Sequence, residues 1–319
     1  MHRFLPLLLL LCLLMSGCTQ VPGIPTAEEL PPAAIPAPAA DNLPQSRDQA
    51  TFWFRYGTEP LLAPETREIT HSRTESHALA LLRALMEGPS AAAGELNSLF
   101  PAGTQVLSVT QSGRIMFVTL SRHIMKRFAD EPANWRDQPV WAAEVPLRRE
   151  LAMQSIAATL TENCQVDTVV ILVEQSGTDS LRLRQGYYSL DDDNRLAAPL
   201  VREERLLLSP SRTAEVILTC WNEGDYARLY RYVAAVDPAT DTSRPEEAAF
   251  IEHMHAEPHL LRASVTGGSI TMDGQRAVFT VSGAYLLQGT EHSFSNMVLQ
   301  LVREKGLWKI GHTQLRGSY

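Results

Sequence analysis

The sequence predicts an α+β protein of two domains, and three observations carry that expectation. Between Thr51 and Asp191, aromatic and β-branched runs alternate with apolar residues at helical spacing. From Leu206 onward, helical spacing comes first and a period of two follows, closing in hairpins. Ahead of both lies a proline- and alanine-rich stretch, residues 18–50, with few large apolar groups. Length agrees, since 319 residues suffice for two domains of about 100–200 residues each.

The first domain is expected over 51–205, with its C-terminal linker. Thr51 to Tyr56 is aromatic and β-prone and stops at Gly57, and a short strand follows Pro64 at about 66–70. Over 73–87 the period changes, with Ala78, Leu81, Leu82, Leu85 and Met86 on one helical stripe and Gly88-Pro89 as the stop. Strands near 105–110 and 114–120 flank Gln111-Ser112-Gly113 as a hairpin. Residues 121–128 suit a short helix, and a loop with Pro132, Trp135 and Pro139 precedes a long helix at about 143–163. Its stripe is Met153, Ile156, Ala157 and Leu160. Val166 to Val173 is a nearly continuous apolar run, as in a strand covered on both faces. Residues 191–204, beginning Asp191-Asp192-Asp193, read as a polar linker and a solvated acidic turn, because calcium-loop spacing is missing.

The second domain is expected over 206–319. Ser211 or Thr213 caps a helix with Ala214, Ile217, Leu218 and Trp221 on one face. Asn222 to Asp225 breaks it, a second helix carries Tyr226, Leu229, Tyr230 and Val233, and a third occupies about 245–255. Then Leu261 to Met272 and Gln275 to Leu287 meet at Asp273-Gly274, a strong hairpin signal. His292 to Arg303 pairs through Lys305-Gly306 with Leu307 to Leu315.

The chain opens with MHRFLPLLLLLCLLMSGC, a weakly basic start and an apolar run too short to span a bilayer, which takes about 20 residues. Met15-Ser16-Gly17-Cys18 resembles the lipobox of bacterial lipoproteins. The resemblance implies loss of residues 1–17, palmitate-type acylation at Cys18, and an extracytoplasmic protein anchored by lipid, in the first place to the outer face of the cytoplasmic membrane. Residues 18–50 would be its tether. Past Cys18, only Cys164 and Cys220 remain, and both a disulfide and two buried thiols are open. A formal charge of −8 with no basic stripe speaks against a nucleic-acid partner.

Two further resemblances rest on particular stretches. LLRALMEGP at 81–89, LFPAGTQVLSV at 99–109, RIMFVTLS at 114–121, AMQSIAATLTE at 152–162 and VDTVVILVE at 166–174 resemble the GerMN domain of sporulation and spore-germination proteins. That implies a non-enzymatic envelope module, with partners among envelope proteins and a third option of peptidoglycan. Residues 129–141 are an insertion relative to the compact pattern. WNEGDY at 221–226 and GLWKI at 306–310, with helices before a curved antiparallel meander, resemble the cone-shaped fold of the nuclear-transport-factor-two-like superfamily. That superfamily holds enzymes and binding modules alike, so the fold leaves the chemistry open.

The residues themselves offer little catalysis. There is no G-x-S-x-G elbow, no S-x-x-K and no glycine-rich phosphate fingerprint. His253, His255, Glu257 and His259 read as an exposed loop beside a helix end, because Pro258 interrupts the helix that would align them. His71 and His77 read as surface residues. Tyr226, Tyr230 and Tyr285 are the candidates to line a pocket in the second domain, against the plainer reading of a core stripe. No catalytic, metal or cofactor site is expected, and the role expected is protein–protein interaction at a membrane surface.

Overall fold

The computed structural model describes residues 45–176, 179–190 and 193–315. The leader, Cys18 and nearly all of the expected tether therefore lie outside the described residues, as do Asp191 and Asp192. Among the described residues the architecture is α+β, with three sheets and the helices packed against them.

Strand β1 (Gln45–Tyr56) begins well before the expected Thr51. Its first residues are polar on both faces, so no alternation marks them, yet they pair in register from Gln45↔Ser72 to Ala50↔Arg67 with β2 (Leu62–Ser72). Pro64 lies inside β2, not before it. A proline is tolerated there because β2 is the edge of a three-stranded sheet ordered β2-β1-β3, with β3 at Leu96–Asn97. Helix α1 (His77–Glu87) starts at Ser76, whose hydroxyl accepts from Leu79 N, and stops at Gly88 with φ +95°.

The second sheet is built from β4 (Val106–Ser112), β5 (Ile115–Leu120), β6 (Thr168–Ser176) and β7 (Asp179–Arg182). Strands β5 and β6 are parallel, so the chain must cross over between them. The crossover is α2 (Pro139–Asn163), which buries Met153, Ile156, Ala157 and Leu160 as its spacing required. The expected helix at 121–128 shortens to a 3-10 turn at Arg122–Met125. After a short helix α3 (Gly186–Ser189), the expected linker supplies β8 (Leu200–Val201), which pairs with β6.

Helix α4 (Pro210–Glu223) is capped by Ser209, not by Ser211 or Thr213. The Ser209 hydroxyl accepts from Arg212 N, and Pro210 follows in the position where its missing N–H costs nothing. Gly224 at φ +71° ends α4, Asp225 then caps α5 (Tyr226–Tyr230), and α6 spans Glu247–Ala256. The last sheet is an antiparallel meander ordered β12-β11-β10-β9: β9 (His259–Ile270), β10 (Arg276–Leu287), β11 (Thr290–Glu304) and β12 (Leu307–Ile310). The Asp273-Gly274 turn forms as expected, with Gly274 at φ +66°.

Most buried apolar side chains of both halves belong to one continuous cluster, from Ala50 in β1 to Leu315. Leu62 in β2 makes a bridge to Leu207, and Leu208 N donates to Leu62 O at 2.7 Å. Cys164, half-buried at the end of α2, and Cys220, buried in α4, are separate thiols and no disulfide joins them. Burial raises the pKa of both thiols and pushes Cys220 up to about 12, so each behaves as a small apolar group.

Close packing at one glycine makes a test. A Cβ on Gly283, at the β10 bulge, would meet Arg262 O at 2.2 Å and Phe294 Cζ at 2.9 Å, whereas one on Gly267 would find its nearest neighbour at 3.9 Å. Gly283→Ala should cost about 1–3 kcal/mol in urea unfolding, as overpacking does. Gly267→Ala, in an exposed stretch, should stay within about 0.5 kcal/mol of the parent. Equal effects would remove this account of the bulge.

Candidate functional site

A cleft of about 660 Å³ lies between the two halves. One wall is Glu65, Thr66 and the loop Ser90–Leu96; the other is Ala235, Arg244, Glu304, Lys305 and Leu307, and Lys309 closes the floor. Buried ionic groups hold its geometry.

Lys309 is 3% exposed, an ammonium inside the apolar strand β12. Its Nζ donates to Tyr56 Oη at 2.9 Å, to Glu95 Oε2 at 2.6 Å and to the Arg231 carbonyl. The Tyr56 hydroxyl, at the end of β1, bonds in turn to Arg231 O at 2.7 Å. Burial pushes Lys309 below the usual lysine range, and the Glu95 carboxylate offsets part of that fall. Burial raises Tyr56, and the Glu95 charge raises it further.

Glu59 is 2% exposed and receives a two-pronged bond from Arg228, Nε to Oε1 at 2.7 Å and Nη2 to Oε2 at 2.6 Å. Local structure places both partners. Gly57, at φ +52°, turns the chain after β1, and Arg55 pins that turn through Nε to Glu59 O at 2.9 Å and Nη2 to Thr58 O at 2.7 Å. On the other side the Asp225 cap accepts from Arg228 N at 3.1 Å.

The charges of the cleft walls are also engaged. Glu65 Oε1 accepts from Ser90 N at 3.1 Å, Glu304 Oε2 from Ala235 N at 2.8 Å, and Arg244 donates to Val233 O at 3.0 Å while lying 4.4 Å from the Tyr230 ring centre. What remains open is the outer carboxylate edge of Glu95, exposed Lys305 and an apolar strip of Ala91–Ala93, with Leu96 and Leu307 nearly buried beneath it.

A second cleft, about 520 Å³, is bounded by the 129–141 insertion and takes Arg127, Arg136 and Arg149 in its lining, with Glu131. Trp135 of the insertion is buried and carries the Arg136 guanidinium 4.5 Å from its ring centre. Desolvation lowers the Arg149 pKa, so a carboxylate or phosphate entering there would meet a cation short of water.

The expected pocket tyrosines do not converge. Tyr226 is buried edge-on to His255, Tyr230 donates to Pro245 O at 2.8 Å and packs on Phe250, and Tyr285 stacks on His292. Tyr226 and Tyr230 pack with the core while Tyr285 lies on the partly exposed sheet face, and none of them lines the two clefts above. His253 pairs with Glu257 at 3.0 Å, His259 begins β9, and Asp193 pairs with Arg195 at 2.6 Å. His71 is not the surface residue its context suggested, because its ring is largely buried and bonds Asp48. Sequence reasoning missed the floor of the cleft as well. The signal was there in Lys309, one of only three lysines, between Trp308 and Ile310.

Two measurements test this geometry. Arg228→Met strands the Glu59 carboxylate and should cost about 3–5 kcal/mol, with much of the loss regained in a Glu59→Leu, Arg228→Met double variant. Additive losses in the double-mutant cycle would mean the pair is not coupled. For Lys309 the folded-state pKa is depressed, so between it and 10.5 the unfolded chain holds the proton more often. Stability relative to Lys309→Met should therefore rise as pH climbs from the depressed folded-state value toward 10.5. A fall over that range would contradict the buried ammonium.

Residues 51–178 match the family model described as Germane, sporulation and spore germination. The match covers less than half of the chain and describes the first half. No curated protein matches the chain. Among solved structures, the tandem GerMN domains of the sporulation protein GerM from Bacillus subtilis are 16% identical, covering 50% of this chain and 46% of that one, at a TM-score of 0.32. The chain thus spans about half the length of that protein structure. The first GerMN domain of the same protein is 12% identical over 47% of this chain and 97% of that one, with a TM-score of 0.28. A provisionally named lipoprotein from Clostridium perfringens is 21% identical over 50% of this chain and 89% of that one, with a TM-score of 0.27. Residues 51–178 of this chain are therefore similar to the sporulation and spore-germination domain.

Proposed function

We propose that this chain is an envelope-attached binding protein acting in sporulation or germination, which holds a segment of a partner protein in the cleft between its halves. The observation that carries the reading is the construction of that cleft: walls from both halves, an apolar strip, and a charged floor whose groups are consumed in structural bonds. Such a surface offers hydrogen-bond partners and apolar contact without a poised acid, base or nucleophile, which suits binding over catalysis. The Germane match over 51–178 supports the sporulation or germination setting.

Attachment is proposed through Cys18, acylated and placing the protein on the outer face of the cytoplasmic membrane. Among the described residues no helix is long and apolar enough to cross a membrane. A second reading, peptidoglycan binding by the first half, is favoured by the Arg127, Arg136 and Arg149 cleft, whose cations match the carboxylates of wall peptides.

Cys18→Ser should move the protein from the membrane to the soluble fraction; retention on membranes would defeat the lipid assignment. A photo-crosslinker at exposed Ala92 should capture a specific envelope protein in living cells. A bulky Ala92→Trp, Lys305→Glu variant should lose that adduct with its thermal midpoint unchanged. Adducts only with wall fragments, lost on Arg127→Ala, would replace the first reading with the second.

A further inference from the structure

Away from both clefts, Asp48, His71 and His77 bring three ligating atoms within 4.8 Å of one another. The hairpin register and the helix cap place them. Ser46 lies opposite His71, and Asp48 is two residues farther along β1, on the same face of the pleat. Ser76 caps α1, so His77 stands at its first position. Asp48 Oδ2 is 2.9 Å from His71 Nε2 and 3.6 Å from His77 Nδ1. The His71 side chain is 8% exposed, while Asp48 and His77 are open at 41% and 35%.

The protons of His71 narrow what can sit there. Its Nδ1 lies 3.1 Å from the Ser72 carbonyl, which can only accept, so Nδ1 carries a hydrogen. A neutral imidazole has one N–H, which leaves a lone pair on Nε2 facing a carboxylate oxygen. A hydrogen or a metal ion must stand between them. The outer bond from Nδ1–H to a backbone carbonyl is the arrangement that orients metal-binding histidines. With zinc–nitrogen and zinc–oxygen distances near 2.0–2.1 Å, the edge of a tetrahedral site is about 3.3 Å. The observed 2.9 and 3.6 Å lie on either side of it.

We propose that Asp48, His71 and His77 form a zinc site, with water in the fourth position on the open side of Asp48 and His77. Two imidazoles and one carboxylate favour zinc over calcium or magnesium, which prefer all-oxygen shells. The ion would join the start of β1, the end of β2 and the first turn of α1.

Calorimetric titration of the full chain with zinc alone should give about one ion per chain. Cobalt in its place should show the intense visible bands of a four-coordinate site. Asp48→Asn and His77→Ala change partly exposed side chains, and circular dichroism should find them folded. Each should weaken zinc by more than the roughly 10–100-fold that loss of an outer-shell partner costs, and His77→Ala should abolish the cobalt bands. No bound zinc in the parent chain, or affinity unchanged in both folded variants, overturns the site.

Discussion

The Glu59–Arg228 pair is the constraint on which the relation between the two halves depends. A carboxylate 2% exposed in the first half faces a guanidinium from the second, and the residues are 169 positions apart in the chain. Burying such a pair contributes little net stability, since desolvation offsets most of the attraction. Its effect is on geometry. The planar fork of Arg228 meets both oxygens of Glu59 in one orientation, and any sliding of the halves would leave a charge in apolar surroundings. The continuous apolar cluster supplies the adhesion, which is indifferent to register; the ionic pair supplies the register.

The cleft follows from this. Lys309, Glu95 and Tyr56 form a second cross-half set beside the first, so the floor and both walls are held by groups that cannot turn away without losing a bond. A protein surface already in its bound shape loses less ordering entropy when a partner arrives.

Much of the architecture was legible because it is local. Helix α2 has its stripe at 153, 156, 157 and 160, and β6 is a continuous apolar run. The β9–β10 hairpin turns at Asp273-Gly274. What escaped is non-local. The start of β1 is polar on both faces, so only its partner β2 defines it, and Pro64 masked the start of β2 because an edge strand tolerates it. Glu59, Arg228, Glu95 and Lys309 carry no motif, since their meaning arises from being brought together across 169 and 214 positions. The three tyrosines had helical or strand spacing that a core and a pocket share; Tyr226 and Tyr230 pack with the core, and Tyr285 stacks on exposed His292.

Strand β1 ties the features together. Asp48 lies near its start and Tyr56 at its end, so the histidine cluster and the ionic seam are separated by about 26 Å of one strand at about 3.3 Å per residue. Phe52 and Phe54, between them, are fully buried in the shared core. Distance alone gives no coupling, because a signal needs an element with two discrete arrangements, and a strand buried along its second half offers one. What such a strand does transmit is stability. A cation bound only by the native hairpin lowers the free energy of the whole cooperative body, and its benefit would reach the seam through the common folding equilibrium without any movement.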